Sequence, residues 1–403
     1  MIEESVARDT EADLLAFRNR VDRVLSSTVE KLDSDADSTT VMRHARGLQR
    51  ALADAGLAGL TYPTTLGGAG LTVEHQRAFD DVAQPYAIDP TPLLVTLDMC
   101  VPTVVHWGSE DQQRRYVPPM LSAAEVWCQL FSEPSAGSDL AGLRTAARPA
   151  GDGWVLDGQK VWSSWAQLSD FGLCIARTDP SVPKHAGLSA FIVDMRAPGV
   201  DVRPIRQITG ASEFNEVFFS DVMLEHGALL GRPGDGWKVA LSVLGFERMQ
   251  IAGRMRPLLA GHADRAVAIA RAGGLNGSSE VRQELVALII LERILSWVAN
   301  RVEADLADGR VPGSESSVLK LGTSQLASRA ASLAMRLAGV TSVAWEGNDG
   351  ALAFAALDAM KLSIAGGTSE VQRNIVAERL LGLPRESGPD RAAAFNSLSG
   401  SIR

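Results

Sequence analysis

The hydrophobic spacing of this chain changes twice along its length, and that double change limits the fold more than any single motif does. Apolar residues recur at three- and four-residue intervals over 10–32, 37–55, 73–84 and 112–121, the spacing of helices that bury one stripe. After about residue 125, short runs rich in Val, Ile, Phe and Trp take over at 154–161, 171–177, 188–194, 200–206 and 216–224, separated by Gly, Pro, Asp and Ser. Helical spacing returns from Gly236 onward, over 237–271, 279–307, 316–338, 351–363 and 369–381. At 403 residues the chain exceeds what one core organises. The spacing therefore predicts an α+β multidomain protein: an N-terminal helical domain over 1–125, a middle antiparallel β domain over 126–232 and a C-terminal helical bundle over 233–403. No fixed-period repeat is present, which argues against a solenoid.

Charge and cysteine usage narrow the function classes. A net charge of -9 with no Lys/Arg run disfavours nucleic acid and membrane surfaces as partners, because phosphate binding needs clustered positive charge. Cys100, Cys128 and Cys174 form an odd set without a CxxC pair, and six His are dispersed, so neither a disulfide frame nor a metal site is expected. Met1-Ile2-Glu3-Glu4-Ser5 is acidic where a secretion signal is basic, and no uninterrupted apolar run reaches membrane-spanning length. The expectation is a cytoplasmic protein without membrane insertion.

Four stretches carry side chains suited to chemistry. Gln129-Leu130-Phe131-Ser132-Glu133-Pro134-Ser135-Ala136-Gly137-Ser138-Asp139 lies where the helical and β textures meet; Ser132 and Ser138 offer hydroxyls and Gly137 lets backbone amides approach a ligand, although a plain turn fits equally well. Gly158-Gln159-Lys160-Val161-Trp162-Ser163-Ser164-Trp165 brackets two hydroxyls with two indoles, suiting a flat ligand beside Trp162 or simple core packing of that ring. In Gly245-Phe246-Glu247-Arg248-Met249-Gln250-Ile251, helical spacing puts Glu247 on the stripe of Val243, Leu244 and Ile251. A carboxylate on such a face is either a base strengthened by burial or one half of an ion pair with Arg248 or another cation. In Ile364-Ala365-Gly366-Gly367-Thr368-Ser369-Glu370-Val371-Gln372-Arg373, the glycines can carry the chain past a ligand, and Thr368 or Ser369 can cap the following helix.

In this order, and joined by the Tyr62-Pro63-Thr64-Thr65-Leu66-Gly67-Gly68-Ala69-Gly70 loop, Phe214-Asn215-Glu216-Val217 and Leu381-Gly382-Leu383-Pro384, these stretches resemble the acyl-CoA dehydrogenase family over nearly the whole chain. The resemblance implies helical, β and helical domains with FAD held between the β and carboxy-terminal parts. It implies flavin contacts from Gln129, Leu130, Phe131, Ser132, Trp162, Ser163 and Ser164, and FAD contacts from Gly366, Thr368 and Glu370. Ser138 is placed near the phosphates or the thioester arm, and Gly245, Phe246, Arg248 and Gly366 near the acyl-CoA substrate. Many members carry the catalytic Glu immediately before the Gly-Thr-Ser of the last motif, where this chain has Gly366. The isovaleryl-CoA dehydrogenase-like branch uses a Glu-Arg pair on the earlier helix instead, which matches Glu247-Arg248.

The implied reaction is α,β-dehydrogenation to the trans-2-enoyl thioester, Glu247 taking the α proton, with electrons passed to an acceptor such as electron-transfer flavoprotein. Alternatives on the same fold are a flavin oxidase or monooxygenase, or a subunit of a mixed complex. The resemblance implies a homotetramer or a heterotetramer. Here, however, the segments that grip FAD of the adjacent subunit depart from its pattern, reading Arg271-Ala272-Gly273-Gly274-Leu275-Asn276-Gly277 and Ala338-Gly339-Val340-Thr341. That departure implies a heterotetramer in which a related acyl-CoA dehydrogenase chain supplies the grip, as in some actinobacterial steroid-degrading relatives.

Overall fold

The computed structural model describes residues 11–32, 36–246, 261–307, 314–343, 350–385 and 392–398. They fall into two compact units, one drawn from 1–205, 212–243 and 391–403, the other from 206–211 and 244–390.

The first unit opens with helices α1 (Glu11–Thr28), α2 (Ser38–Asp54) and α3 (Val73–Ala83). Phe17, Val21 and Leu25 repeat every four residues on α1 and pack with Leu48 and Leu52 of α2 and Ala78 of α3. The side chain of Asp37 caps α2 by accepting from Thr40 N at 2.8 Å. The 62–70 loop closes on itself: Gly70 N donates to Tyr62 O at 2.9 Å, and a Cβ on Gly68 would lie 2.3 Å from that same oxygen. Only glycine fits there.

A helical stretch that spacing alone does not reveal follows, as α4 (Thr91–Leu94), a π-helical segment (Val95–Cys100) and α5 (Val101–Trp107). Its residues are apolar on nearly every side, so no stripe stands out, and Pro102 sits at the start of α5 where its missing N–H costs least. Helix α6 (Glu110–Leu121) starts from a capping box made by Ser109 and Gln112.

The described residues then form one eight-stranded sheet: β1 (Trp127–Leu130), β2 (Ala146–Ala150), β3 (Gly153–Ser164), β4 (Phe171–Arg177), β5 (Leu188–Asp194), β6 (Val200–Ile205), β7 (Phe214–Leu224) and β8 (Leu229–Leu230). The order is β6-β7-β3-β2-β4-β5-β8, with β1 beside β4. Pairing is antiparallel except where β1 and one residue of β2 run parallel to β4. Strands β1 and β2 fall outside the runs expected from the sequence because Gln, Arg and Pro interrupt their alternation.

Strands β4 and β5 are buried on both faces, hence their nearly continuous apolar sequence. Leu173, Ile175, Ala190 and Ile192 pack with Val101, Val104, Val117 and Met120 of the helices, whereas Cys174, Phe191 and Val193 pack with Leu156, Val217 and Val222. Helix α7, described over 236–246, adds Val239, Ala240 and Val243 to the first of these cores.

The second unit contains α8 (His262–Ala272), α9 (Ser279–Ala307), α10 (Glu315–Ala338), α11 (Gly350–Ala359) and α12 (Ser369–Ile375). Its core joins Ala266 and Ala270 of α8, Leu285, Leu288, Leu295, Ala299 and Val302 of α9, and Leu319, Leu326, Leu333 and Leu337 of α10. Gly322 admits Leu295, since a Cβ there would meet its Cδ2 at 2.3 Å. The 237–271 run is not one helix: Gly261, at φ +82, immediately precedes α8, whose first amides are capped by Glu292. The 369–381 run likewise changes character, passing from α12 into a π-helical segment, Val376–Leu380.

Helix α9 is apolar on two sides. Opposite its buried face, Val286, Ile290, Ile294 and Trp297 are 49%, 52%, 45% and 67% exposed. With Gln283, Ala287, Arg301 and Ala304, three of these, Ile290, Ile294 and Trp297, fall on alternating four- and three-residue spacings, the pattern of a helix-packing seam. Among the described residues, no helix is long and apolar enough to cross a membrane, and no cluster of three His, Cys, Asp or Glu could hold a metal.

Candidate active site

The end of β1 and the end of β3 are brought together by the backbone. Gln129 and Leu130 lie opposite Leu173 and Cys174 in the parallel β1–β4 ladder, and Ser132 O, just beyond β1, accepts from Val161 N at 2.9 Å. Leu130 and Phe131 send their side chains into the two cores, while Gln129 and Ser132 are half-buried. Glu133 and Ala136 exchange backbone hydrogen bonds at 3.1 and 3.0 Å, folding Pro134-Ser135 into a tight turn. Ser138 is exposed beyond it, next to Asp139, whose carboxylate accepts from Lys184 Nζ at 2.7 and 2.8 Å.

Strand β3 is bulged where Trp162 sits. The ladder with β7 jumps from Lys160–Val217 to Ser163–Asn215, so two residues of β3 oppose one of β7. Trp162 takes φ +63, a region costly for a bulky side chain, and its indole is 58% exposed, edge-on to Phe214 at 6.0 Å. Core packing is therefore not its role. An unfavourable backbone that presents a large flat ring to solvent is the sort of outlier found where a ligand must be met. Ser163, 1% exposed, leaves its Oγ without a hydrogen-bond partner among the described residues, while its carbonyl accepts from Asn215 Nδ2 at 2.9 Å. Ser164 is half-buried at the strand end opposite Phe214. An exposed indole beside two adjacent hydroxyls, one of them buried and unsatisfied among the described residues, fits a flat, polar-edged ring such as a flavin.

Charged residues that sequence reasoning did not single out support this end of the sheet. Lys160 is fully buried, and its Nζ donates to Phe131 O at 3.0 Å, Glu133 Oε1 at 3.0 Å and Ile175 O at 2.8 Å. The Glu133 carboxylate also accepts from Arg144 N at 2.7 Å and Thr145 N at 2.8 Å. Burial pushes this carboxyl up, but the Lys160 charge and those amides outweigh it and hold it below the usual carboxylate range. Asp170, at the start of β4, binds Arg46, Arg196 and Val126 N. Arg177 donates to Leu143 O, Lys184 O and Ala141 O and lies 3.5 Å from the ring centre of Phe395; burial lowers its guanidinium to about 10. A Lys inside the β-run at 154–161 was the available signal for the first of these, but long-range partners cannot be read from spacing.

In the second unit, Gly366 and Gly367 take φ +65 and +86, and Gly367 abuts Gln372, whose Nε2 would lie 2.7 Å from an added Cβ. Gln372 Nε2 donates to Gly366 O at 2.8 Å and Lys320 Nζ to Gly367 O at 2.7 Å. Thr368 caps α12 by accepting from Val371 N at 3.2 Å. Glu370 is exposed and 3.2 Å from Arg373; its own backbone amide, the Thr368 hydroxyl and Arg373 lower its carboxyl. Gly245 and Phe246 are half-buried on α7, just beyond buried Val243. Glu247 and Arg248 lie outside the described residues.

Comparison with known proteins identifies the family. The chain matches the acyl-CoA dehydrogenase N-terminal domain over residues 11–124, the middle domain over 128–222 and the C-terminal domain over 234–381. It is 37% identical over 362 residues to acyl-CoA dehydrogenase IpdE1 of Mycolicibacterium smegmatis, covering 85% of this chain and 88% of that one. Among solved structures it is similar to the ChsE4-ChsE5 complex from Mycobacterium tuberculosis (TM-score 0.78, 26% identity, 95% of this chain and 100% of that one). It is equally similar to the Tcur3481-Tcur3483 steroid ACAD (TM-score 0.78, 26% identity, 94% and 99%). The chain belongs to the acyl-CoA dehydrogenase family, whose members are FAD-dependent oxidoreductases.

Proposed function

We propose that this chain binds FAD and converts an acyl-CoA thioester to its trans-2-enoyl-CoA in the cytoplasm, passing electrons to an acceptor such as electron-transfer flavoprotein. The observation that carries the reading is the β3 bulge, with Trp162 exposed beside Ser163, Ser164 and the backbone of Ser132. Three buried free thiols, Cys100, Cys128 and Cys174, accord with a reducing compartment. FAD supplies the two-electron oxidation when bound.

The chain's own residues supply position and proton transfer. Ser132, Trp162, Ser163 and Ser164, with the backbone of Gln129 to Phe131, bind and orient the flavin edge, and Ser138, Thr368 and Glu370 add contacts to the rest of FAD or to the thioester arm. Glu247 takes the α proton onto its carboxylate, and Gly245, Phe246 and Arg248 line the acyl-CoA. The N–H of Gly366 donates to the thioester oxygen, favouring the enolate-like charge that develops there. Titrating the purified protein anaerobically with straight-chain, branched and ring-bearing acyl-CoA thioesters tests this. The flavin band should bleach with one class and stay intact in Glu247→Gln, whose FAD content should match the parent. A Glu247→Gln variant that still bleaches would remove Glu247 from the mechanism.

The second proposed element is assembly with a related acyl-CoA dehydrogenase chain through the exposed face of α9. Apolar residues on both sides of one helix call for burial on both sides. The solved neighbours named above include two-protein assemblies, and the departures at 271–277 and 338–341 favour a partner that is not a second copy. Full FAD occupancy of this chain expressed alone would argue for identical subunits instead.

A further inference from the structure

Burying an ion pair costs several kcal/mol per charge, and apolar side chains of similar volume hold a core as well or better. A fully buried lysine therefore needs a reason beyond stability. The ammonium of Lys160 has three protons and three acceptors, Phe131 O, Glu133 Oε1 and Ile175 O, at 3.0, 3.0 and 2.8 Å. Two of these acceptors flank Ser132 in sequence. The carbonyl of Ser132 itself is held by Val161 N, the residue after Lys160, and the next residue is the bulged Trp162. Glu133 is in turn fixed by Arg144 N and Thr145 N, so the clamp is anchored at both ends.

We propose that Lys160 is a positioning residue for the flavin: by gripping the chain on both sides of Ser132, it sets where Ser132 and the Trp162–Ser164 bulge stand relative to one another. This rests on the reading that these residues face FAD. Lys160 does not touch the ligand; it acts through the two segments that do.

The double variant Lys160→Met/Glu133→Gln provides the test, because it removes both charges together while the introduced side-chain amide can still accept from one of the two backbone N–H groups that hold Glu133. Fold retention is checked by the urea midpoint. The variant should unfold near the wild-type midpoint yet release FAD faster, and its kcat should fall, by up to about 100-fold for a misplacement near 1 Å, with little change in KM. The single variants add a signature that packing alone does not produce. Lys160→Met leaves a buried negative charge near the flavin and should lower its midpoint potential, whereas Glu133→Gln leaves a positive one and should raise it. Wild-type FAD release and kcat in a folded double variant would overturn the clamp alone. A wild-type protein unable to take up FAD, with or without a partner chain, would overturn both the clamp and the functional reading beneath it.

Discussion

The two units carry their candidate site residues on different supports. At the end of the β sheet, buried charges hold the backbone: Lys160 with Glu133 and the carbonyls of Phe131 and Ile175, and Arg177 with the carbonyls of Ala141, Leu143 and Lys184. In the helical unit, the Gly366–Glu370 turn rests on the buried Gln372 amide, the buried Lys320 ammonium and a helix cap, whereas the core shared by α8, α9 and α10 is aliphatic. Buried charges accept few geometries, whereas aliphatic packing accepts many. The sheet end is thus fixed by charges paired within this chain, while α9 of the helical unit carries an exposed apolar face, the surface proposed for a partner.

The largest break in that comparison comes from removing one charge. Glu133→Gln strands a buried ammonium and should cost about 3–5 kcal/mol of unfolding free energy at neutral pH. Glu133 has a lowered pKa in the folded state, so its contribution is fully present above the unfolded value of about 4.3 and disappears as pH falls through the folded one. Urea unfolding at a series of pH values should show a constant gap between wild type and Glu133→Gln at neutral pH, closing in acid below about pH 4.3. A gap unchanged to pH 3 would mean that the pair contributes no proton-linked stability.

An intermediate effect is expected on the apolar side. Trp297→Glu puts a charge at the most exposed of the large residues on the α9 face. It should leave the unfolding midpoint of this chain nearly unchanged while weakening association by at least about 2 kcal/mol, the scale of a central interface residue. Sedimentation of the complex would then shift to smaller species. Unchanged sedimentation would place the partner elsewhere.

How far the sequence foretells each half follows the same division. Local spacing carries the helical unit well, because α9 and α10 repeat their apolar residues within a few positions, and it carries the glycine turn at 366–367 for the same reason. Long-range pairing carries the sheet half, and spacing is blind to it. Lys160 and Glu133 are 27 residues apart and meet only because β1 and β3 are joined through Ser132 and Val161. The same blindness hides α4 and α5, whose uniform apolarity has no period, and the bulge at Trp162, which exists only as a mismatch between two paired strands. Two motif stretches singled out from residue chemistry, 129–139 and 158–165, nevertheless fall side by side, because hydroxyls and glycines were placed where strands end.

The smallest effect sharpens the comparison most finely, since Thr368 is both a cap and a proposed FAD contact. Its hydroxyl accepts from Val371 N at 3.2 Å, and replacing such a cap by alanine costs about 1 kcal/mol. Thr368→Ser keeps the oxygen and should behave as wild type in both unfolding and FAD release. Thr368→Ala loses the cap, and if the hydroxyl also meets FAD, release should quicken by more than the stability loss accounts for, because a cap that frays only part of the time exposes the ligand only part of the time. A Thr368→Ala protein about 1 kcal/mol less stable, with FAD release equal to wild type, would confine Thr368 to capping and leave Gly366 and Glu370 as the proposed contacts of this turn.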